Sequence, residues 1–194
     1  RIEGQKSIIW DILQMRDWKV PDWIVVPAGN LGNTSAFGKA LREAYAAGWI
    51  DKTPKIASIQ AEGANPFYKS YQEGFTKFEA IQARTIATAI QIGNPINYEK
   101  AKNVIQTTKG IVEYVSDEEI LAAKFAIDRA GIGCEPASAA TLAGIKKLRA
   151  KKIIHAKEEV VGILTGNLMK DTETTMKSVS QFNKKLSHQI DGHL

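Results

Sequence analysis

Residues 22–33 read DWIVVPAGNLGN, a short apolar run that breaks into a loop of glycine and asparagine. TSAFGKALREAYAAG follows at once, with Phe37, Ala40, Leu41 and Ala44 at helical spacing and Gly48 as a stop. A strand with no polar face, a glycine loop and a helix in direct succession admit few architectures. The strand must lie inside a sheet, and the helix must cover that sheet. The unit also suits an anion, because N–H groups of the loop and of the first helical turn converge there and the helix dipole adds positive charge.

The rest of the chain repeats the alternation. Further strands are expected at residues 55–60, 111–115 and 160–164. Helices are expected at 5–17, with Ile8, Ile9, Ile12 and Leu13 on one face, and at 34–47 and 97–108. Asn65 and Pro66 read as a cap and first helical position, for a helix that carries Phe67 and Tyr71 and ends near Gly74. Ser116 and Glu119 form a capping box ahead of a helix over 118–130, and Glu135–Pro136 opens another that runs to about Arg149. Residues 75–96 fit a loop plus a short helix, and the polar tail 170–194 a partial helix packed on a partner. Together these imply an α/β fold, a three-layer αβα sandwich around a mostly parallel sheet. Ligands in such folds bind outside the carboxyl ends of the strands. The loops at 27–33 and 165–167 both sit at such ends and are expected to meet.

A chain of 194 residues can bury a sizeable core as one domain. One cysteine excludes an internal disulfide framework, and with three scattered histidines it argues against a zinc site, so no metal is expected. Cys134, just before Glu135, reads as a small buried thiol and not a nucleophile. No apolar stretch approaches the roughly 20 residues that cross a bilayer, so no membrane is expected, and a cytoplasmic setting fits best. The formal charge is +5, but most basic residues are interleaved with acids. The dense run Lys146, Lys147, Arg149, Lys151 and Lys152 falls at a helix end, where cations complement the dipole. Small anions are therefore the expected ligands, and nucleic acid is not.

The loop Gly29-Asn30-Leu31-Gly32-Asn33 lacks the lysine and serine of a P-loop and misses the G-x-G-x-x-G spacing of dinucleotide folds. Its glycines let a ligand approach the backbone, and its asparagines tolerate left-handed backbone and can donate amide hydrogens. A βα turn that merely needs glycine is the plainer alternative. Phosphate is favoured because the loop runs straight into a helix.

PAGNLGNTSAFGKAL resembles the cofactor-phosphate loop of the fold type II pyridoxal-phosphate (PLP) enzymes, the tryptophan synthase beta-like family. More narrowly, five segments resemble threonine synthases, in family order: RIEGQKS at 1–7, PDWIVVPAGNLGN at 21–33, TIATAIQIGNP at 85–95, EPASAATLAG at 135–144 and LTGNLMKD at 164–171. The resemblance implies the large domain of the fold type II enzymes over residues 1–194. It also implies PLP as cofactor, O-phosphohomoserine as substrate and a homodimer when full length. The implied reaction removes protons from Cα and Cβ, expels phosphate from Cγ and adds water at Cβ to give threonine.

By the same resemblance, the amides of Gly29, Asn30, Leu31, Gly32 and Asn33 would hold the PLP phosphate. Thr165 would hydrogen-bond the pyridine nitrogen, and this neutral partner tunes the electron sink. Arg1 would grip the substrate's phosphate through bidentate hydrogen bonds. Thr85 and Thr88 would stand near the ring and substrate. Read without the family, Thr165 is a strand-end residue, Arg1 a surface arginine and the two threonines helix packing. Gln91, Asn167 and Leu168 depart from residues common in the family. The lysine that binds PLP covalently in the family lies upstream of these motifs. The chain is therefore expected to be the C-terminal portion of a longer enzyme, with no catalytic residue of its own and no turnover alone. The alternatives are another fold type II lyase, such as a threonine dehydratase, or a non-catalytic phosphate-binding module.

Overall fold

The computed structural model describes residues 1–176 and 179–180. Helices α1 (Ile2–Gln5) and α2 (Ser7–Met15) lead into β1 (Trp23–Pro27) and α3 (Gly32–Ala46). Next come β2 (Lys55–Ala61), α4 (Pro66–Gln72), a 3-10 turn at Thr88–Ile90, α5 (Tyr98–Thr107) and β3 (Ile111–Val115). The chain continues through α6 (Asp117–Arg129), α7 (Pro136–Ala150) and β4 (Val160–Gly162) to a second 3-10 turn at Leu168–Lys170.

All strand pairs are parallel, in the order β3-β2-β1-β4. Helices cover both faces, as the alternation required. Side chains of successive strand residues point to opposite faces. Ile24 and Val26 join the cluster that includes Ile9, Phe37, Leu41 and Val104 from α2, α3 and α5. Trp23 and Val25 join the opposite cluster, with Ile120, Ile127, Ala140 and Leu148 from α6 and α7. Two glycines permit the closest contacts. A Cβ on Gly38 would lie 2.1 Å from Val104 Cγ2, and one on Gly144 2.5 Å from Ile59 Cγ1.

The strand order sets the position of a site. From β1 the chain moves outward through β2 and β3, then returns to pair β4 with the other edge of β1. The loops after β1 and β4 therefore diverge to opposite faces, and such a reversal opens a crevice at the carboxyl ends.

Most expected elements are present within two residues. The capping box at Ser116 and Glu119 forms on both sides. The helix expected over 5–17 is broken at Lys6, where the Ser7 hydroxyl donates to the Gly4 carbonyl, and it ends early as Asp17 and Trp18 turn left-handed. The last strand stops at Gly162 and not at residue 164, because Thr141 Oγ1 from α7 takes the Ile163 carbonyl. Of the tail expected to be partly helical, residues 172–176 and 179–180 are helical, Lys170 ends the second 3-10 turn, and residues 177–178 and 181–194 lie outside the described residues. No described helix is long and apolar enough to cross a membrane.

Candidate active site

The crevice is a cavity of about 640 Å³. Its floor is the loop after β1. Pro27 ends the strand, and Ala28 N–H makes the last ladder bond, to Ile59 O at 2.7 Å. Helix α3 then begins at Gly32, two residues earlier than the periodicity predicts, so the loop's second half is already the first helical turn.

Leu31 is the N-cap and carries the left-handed backbone, at φ 60°. The asparagines of the loop tolerate that conformation, but neither adopts it. A buried leucine can hold it because its side chain is packed in the core at 2% exposure and its carbonyl accepts from both Ser35 N–H and Ser35 Oγ. Glycine serves a different need here. A Cβ on Gly29 would lie 2.8 Å from Ile90 Cα, so the Thr88–Ile90 turn closes directly over the loop.

The result is a cradle of donors. Among the described residues, the N–H groups of Gly29, Asn30, Leu31, Gly32 and Asn33 have no protein acceptor. Gly29 and Leu31 are buried and the other three partly so, and N–H groups gathered in this way at a helix N-terminus suit an anion. Both asparagine side chains are held by their oxygen ends. Asn30 Oδ1 accepts from Ile96 N–H at 2.8 Å, and Asn33 Oδ1 accepts from Gln5 Nε2 at 2.6 Å. Asn97 Nδ2 donates to Asn30 O at 3.0 Å and ties the loop to the start of α5.

The opposite wall comes from the end of β4. Thr165 lines the cavity, with its Oγ1 3.1 Å from Ser138 Oγ. Ser138 Oγ also accepts the N–H groups of Thr165 and Gly166, each at 2.9 Å. Glu135, the N-cap of α7, lies against Gly166, where a Cβ would come within 2.0 Å of its carboxyl carbon. Lys170 faces it at 4.0 Å. Arg1 lines the cavity beside the cradle, and its guanidinium has no carboxylate partner among the described residues.

The fold thus gathers Gly29, Asn30, Leu31, Gly32, Asn33, Thr165 and Arg1 around one cavity. Thr85 and Thr88 are not on its wall. Thr85 Oγ1 donates to Asp117 Oδ1 at 2.5 Å, at the start of α6, and Thr88 is exposed; their neighbours Ala89 and Ile90 reach the cavity instead. Sequence reasoning assigned no role to Gln5, Asn97, Glu135 or Ser138. Gln5, Glu135 and Ser138 sit in the RIEGQKS and EPASAA segments, and that was the available signal. Cys134 is fully buried, and burial pushes its thiol up to about 11, which fits an inert side chain.

Unpaired amides on a helix N-terminus, at the switch point of a parallel sheet, are the arrangement in which α/β proteins hold an anion. The profile of the family described as "Pyridoxal-phosphate dependent enzyme" matches residues 1–166, and the chain belongs to that family. A threonine synthase of Methanosarcina acetivorans is 47% identical over 178 residues, covering 91% of this chain and 44% of that protein. "Threonine synthase 2, chloroplastic" of Arabidopsis thaliana is 36% identical over 189 residues, covering 96% and 37%. The chain thus spans less than half the length of these relatives. Among solved structures, threonine deaminase isoform 2 of Solanum lycopersicum superposes with a TM-score of 0.73 at 23% identity, covering 92% of this chain and 49% of that one. The fold is that of the fold type II PLP enzymes.

Proposed function

We propose that this chain is the cofactor-phosphate half of a threonine synthase, which converts O-phosphohomoserine and water to threonine and phosphate. The observation that carries the reading is the row of five amides at residues 29–33 that have no acceptor among the described residues, which fits the phosphate of PLP. The similarity to threonine synthases of several organisms supports the choice within the family.

When bound, PLP supplies an electron sink for charge developing on the substrate carbons. The protein's own tasks are binding and orientation. Gly29, Asn30, Leu31, Gly32 and Asn33 fix the cofactor phosphate by their amides. Thr165 offers its hydroxyl to the ring nitrogen, and Ser138 holds Thr165 at two points and the N–H of Gly166 at a third. A neutral hydroxyl at that place keeps no proton on the ring. Arg1, whose guanidinium has no carboxylate partner among the described residues, grips the phosphate of the substrate. The Thr88–Ile90 turn closes over Gly29 and fixes that side of the loop. A homodimer and a cytoplasmic setting complete the reading.

The test is a phosphate-release assay on the complete polypeptide with O-phosphohomoserine, with threonine as the alternative substrate. Release of phosphate with formation of threonine is expected. Deamination of threonine without phosphate release would move the protein to the dehydratases, and no PLP uptake at all would make it a binding module.

A further inference from the structure

The two asparagines of the cradle share one arrangement. Each has its Oδ1 held by a donor outside the loop, and each Nδ2 is left without an acceptor among the described residues. An asparagine side chain can present either its oxygen or its NH2 group to a ligand, and the first repels an anion while the second binds it. Whatever captures the oxygen therefore decides the sign of the group offered. For Asn30 the captor is a main-chain N–H, that of Ile96. For Asn33 it is a side chain, Gln5 Nε2 on α1, at 2.6 Å.

Gln5 holds this place at a cost. Its Oε1 is buried and has no hydrogen-bond partner among the described residues. It lies against the helix start, 3.3 Å from where a Cβ on Gly32 would stand. A buried orphan oxygen needs an explanation, and a specific task for the other end of the same amide supplies one. Helix α1 is itself fastened to α3, since Glu3 pairs with Lys39 and Lys6 with Glu43 at 2.6 Å. Gln5 thus approaches Asn33 from a fixed support.

We propose that Gln5 is a positioning residue for phosphate recognition: by holding Asn33 Oδ1 it turns the Asn33 NH2 group toward the anion in the cradle. The inference rests on the reading of the cavity as a PLP site. It assigns to the RIEGQKS segment a task on the cofactor side of the cavity, separate from that of Arg1.

The experiment measures dissociation constants of PLP and of pyridoxal, which lacks the phosphate, by equilibrium dialysis. It uses the complete polypeptide in its apo form, and inorganic phosphate serves as a competitor. Gln5→Leu is expected to weaken PLP by about ten-fold, the scale of one charge-assisted hydrogen bond. Pyridoxal should bind as in the wild type, and phosphate should compete less well. Asn33→Ala and the double variant should then match each other, because Gln5 acts through Asn33. Gln5→Met, with a longer unbranched side chain, replaces Gln5→Leu if the latter does not fold. Equal weakening of PLP and pyridoxal, unchanged PLP affinity, or additive losses in the double variant would overturn the proposal. A wild type that fails to bind PLP would instead sink the reading of the cavity on which the proposal stands.

Discussion

Leu31 and Gly29 show how single residues shape the cradle. A left-handed leucine costs roughly 1–2 kcal/mol of backbone energy, offset here by full burial of its side chain. Gly29 permits the backbone of Ile90 to close in, so Gly29→Ala should push the Thr88–Ile90 turn away. Weaker PLP binding with a lowered Tm is expected, measured by dialysis and by calorimetry. Ser138→Ala removes the acceptor of two main-chain N–H groups, and we expect a loss of about 1–3 kcal/mol in denaturant unfolding. Cys134 should resist alkylation at pH 8 in the folded state and react freely in urea, because burial holds its thiol near 11; rapid labelling of native protein would contradict this. The glycines and asparagines of the loop were visible in the sequence as a place for an anion. That Leu31 would carry the left-handed bend was not, because it depends on the leucine finding core contacts far away in the chain.

At the scale of elements, the attachment of α1 depends on pH. Glu3 accepts from Lys39 and Lys6, and these bonds lower its carboxyl from 4.5 to about 2. A carboxyl with a depressed folded value stabilises the fold above its unfolded value, and that contribution fades as pH falls. The link from α1 to α3 should thus be intact at pH 5 and above, and should weaken from about 4.5 down through about 2. Chemical shifts of residues 2–5 followed by NMR would show the transition, which Glu3→Gln should abolish. Raising the pH acts on Lys6, whose ammonium is held above its usual value first by Glu3 and then by Glu43; its share is present at neutral pH and is lost only in strong alkali. Element types were readable from periodicity and caps, as the strand at Ile111–Val115 and the box at Ser116 illustrate. Boundaries were less so: a tertiary bond from Thr141 ends β4, and a local bond from the Ser7 hydroxyl to Gly4 O helps to break the first helix.

For the whole molecule, alternating strands and helices implied a parallel sheet, and the sheet is parallel throughout. The order of its strands could not be read from one sequence, since it depends on which edge of β1 the last strand takes. That choice places Thr165 opposite residues 29–33. Thr85 and Thr88 stand off the wall for another reason, the bond of Thr85 to Asp117 and the exposure of Thr88, although the next two residues reach the cavity. Ligand binding should be felt globally: saturating PLP is expected to raise the Tm of the complete protein, by an amount that grows with PLP concentration.

The return of β4 to β1 also bears on how the molecule forms. At its root, Glu159 N–H meets Asp22 Oδ2, two residues 137 positions apart in the chain. Contacts so distant are slow to close, because the entropy of the intervening loop must be spent before they reward it. The cradle can form while the chain is still incomplete, but the wall that carries Thr165 must wait for the last strand. In refolding experiments, cofactor capture should therefore lag behind the return of helical circular dichroism and mark the end of assembly.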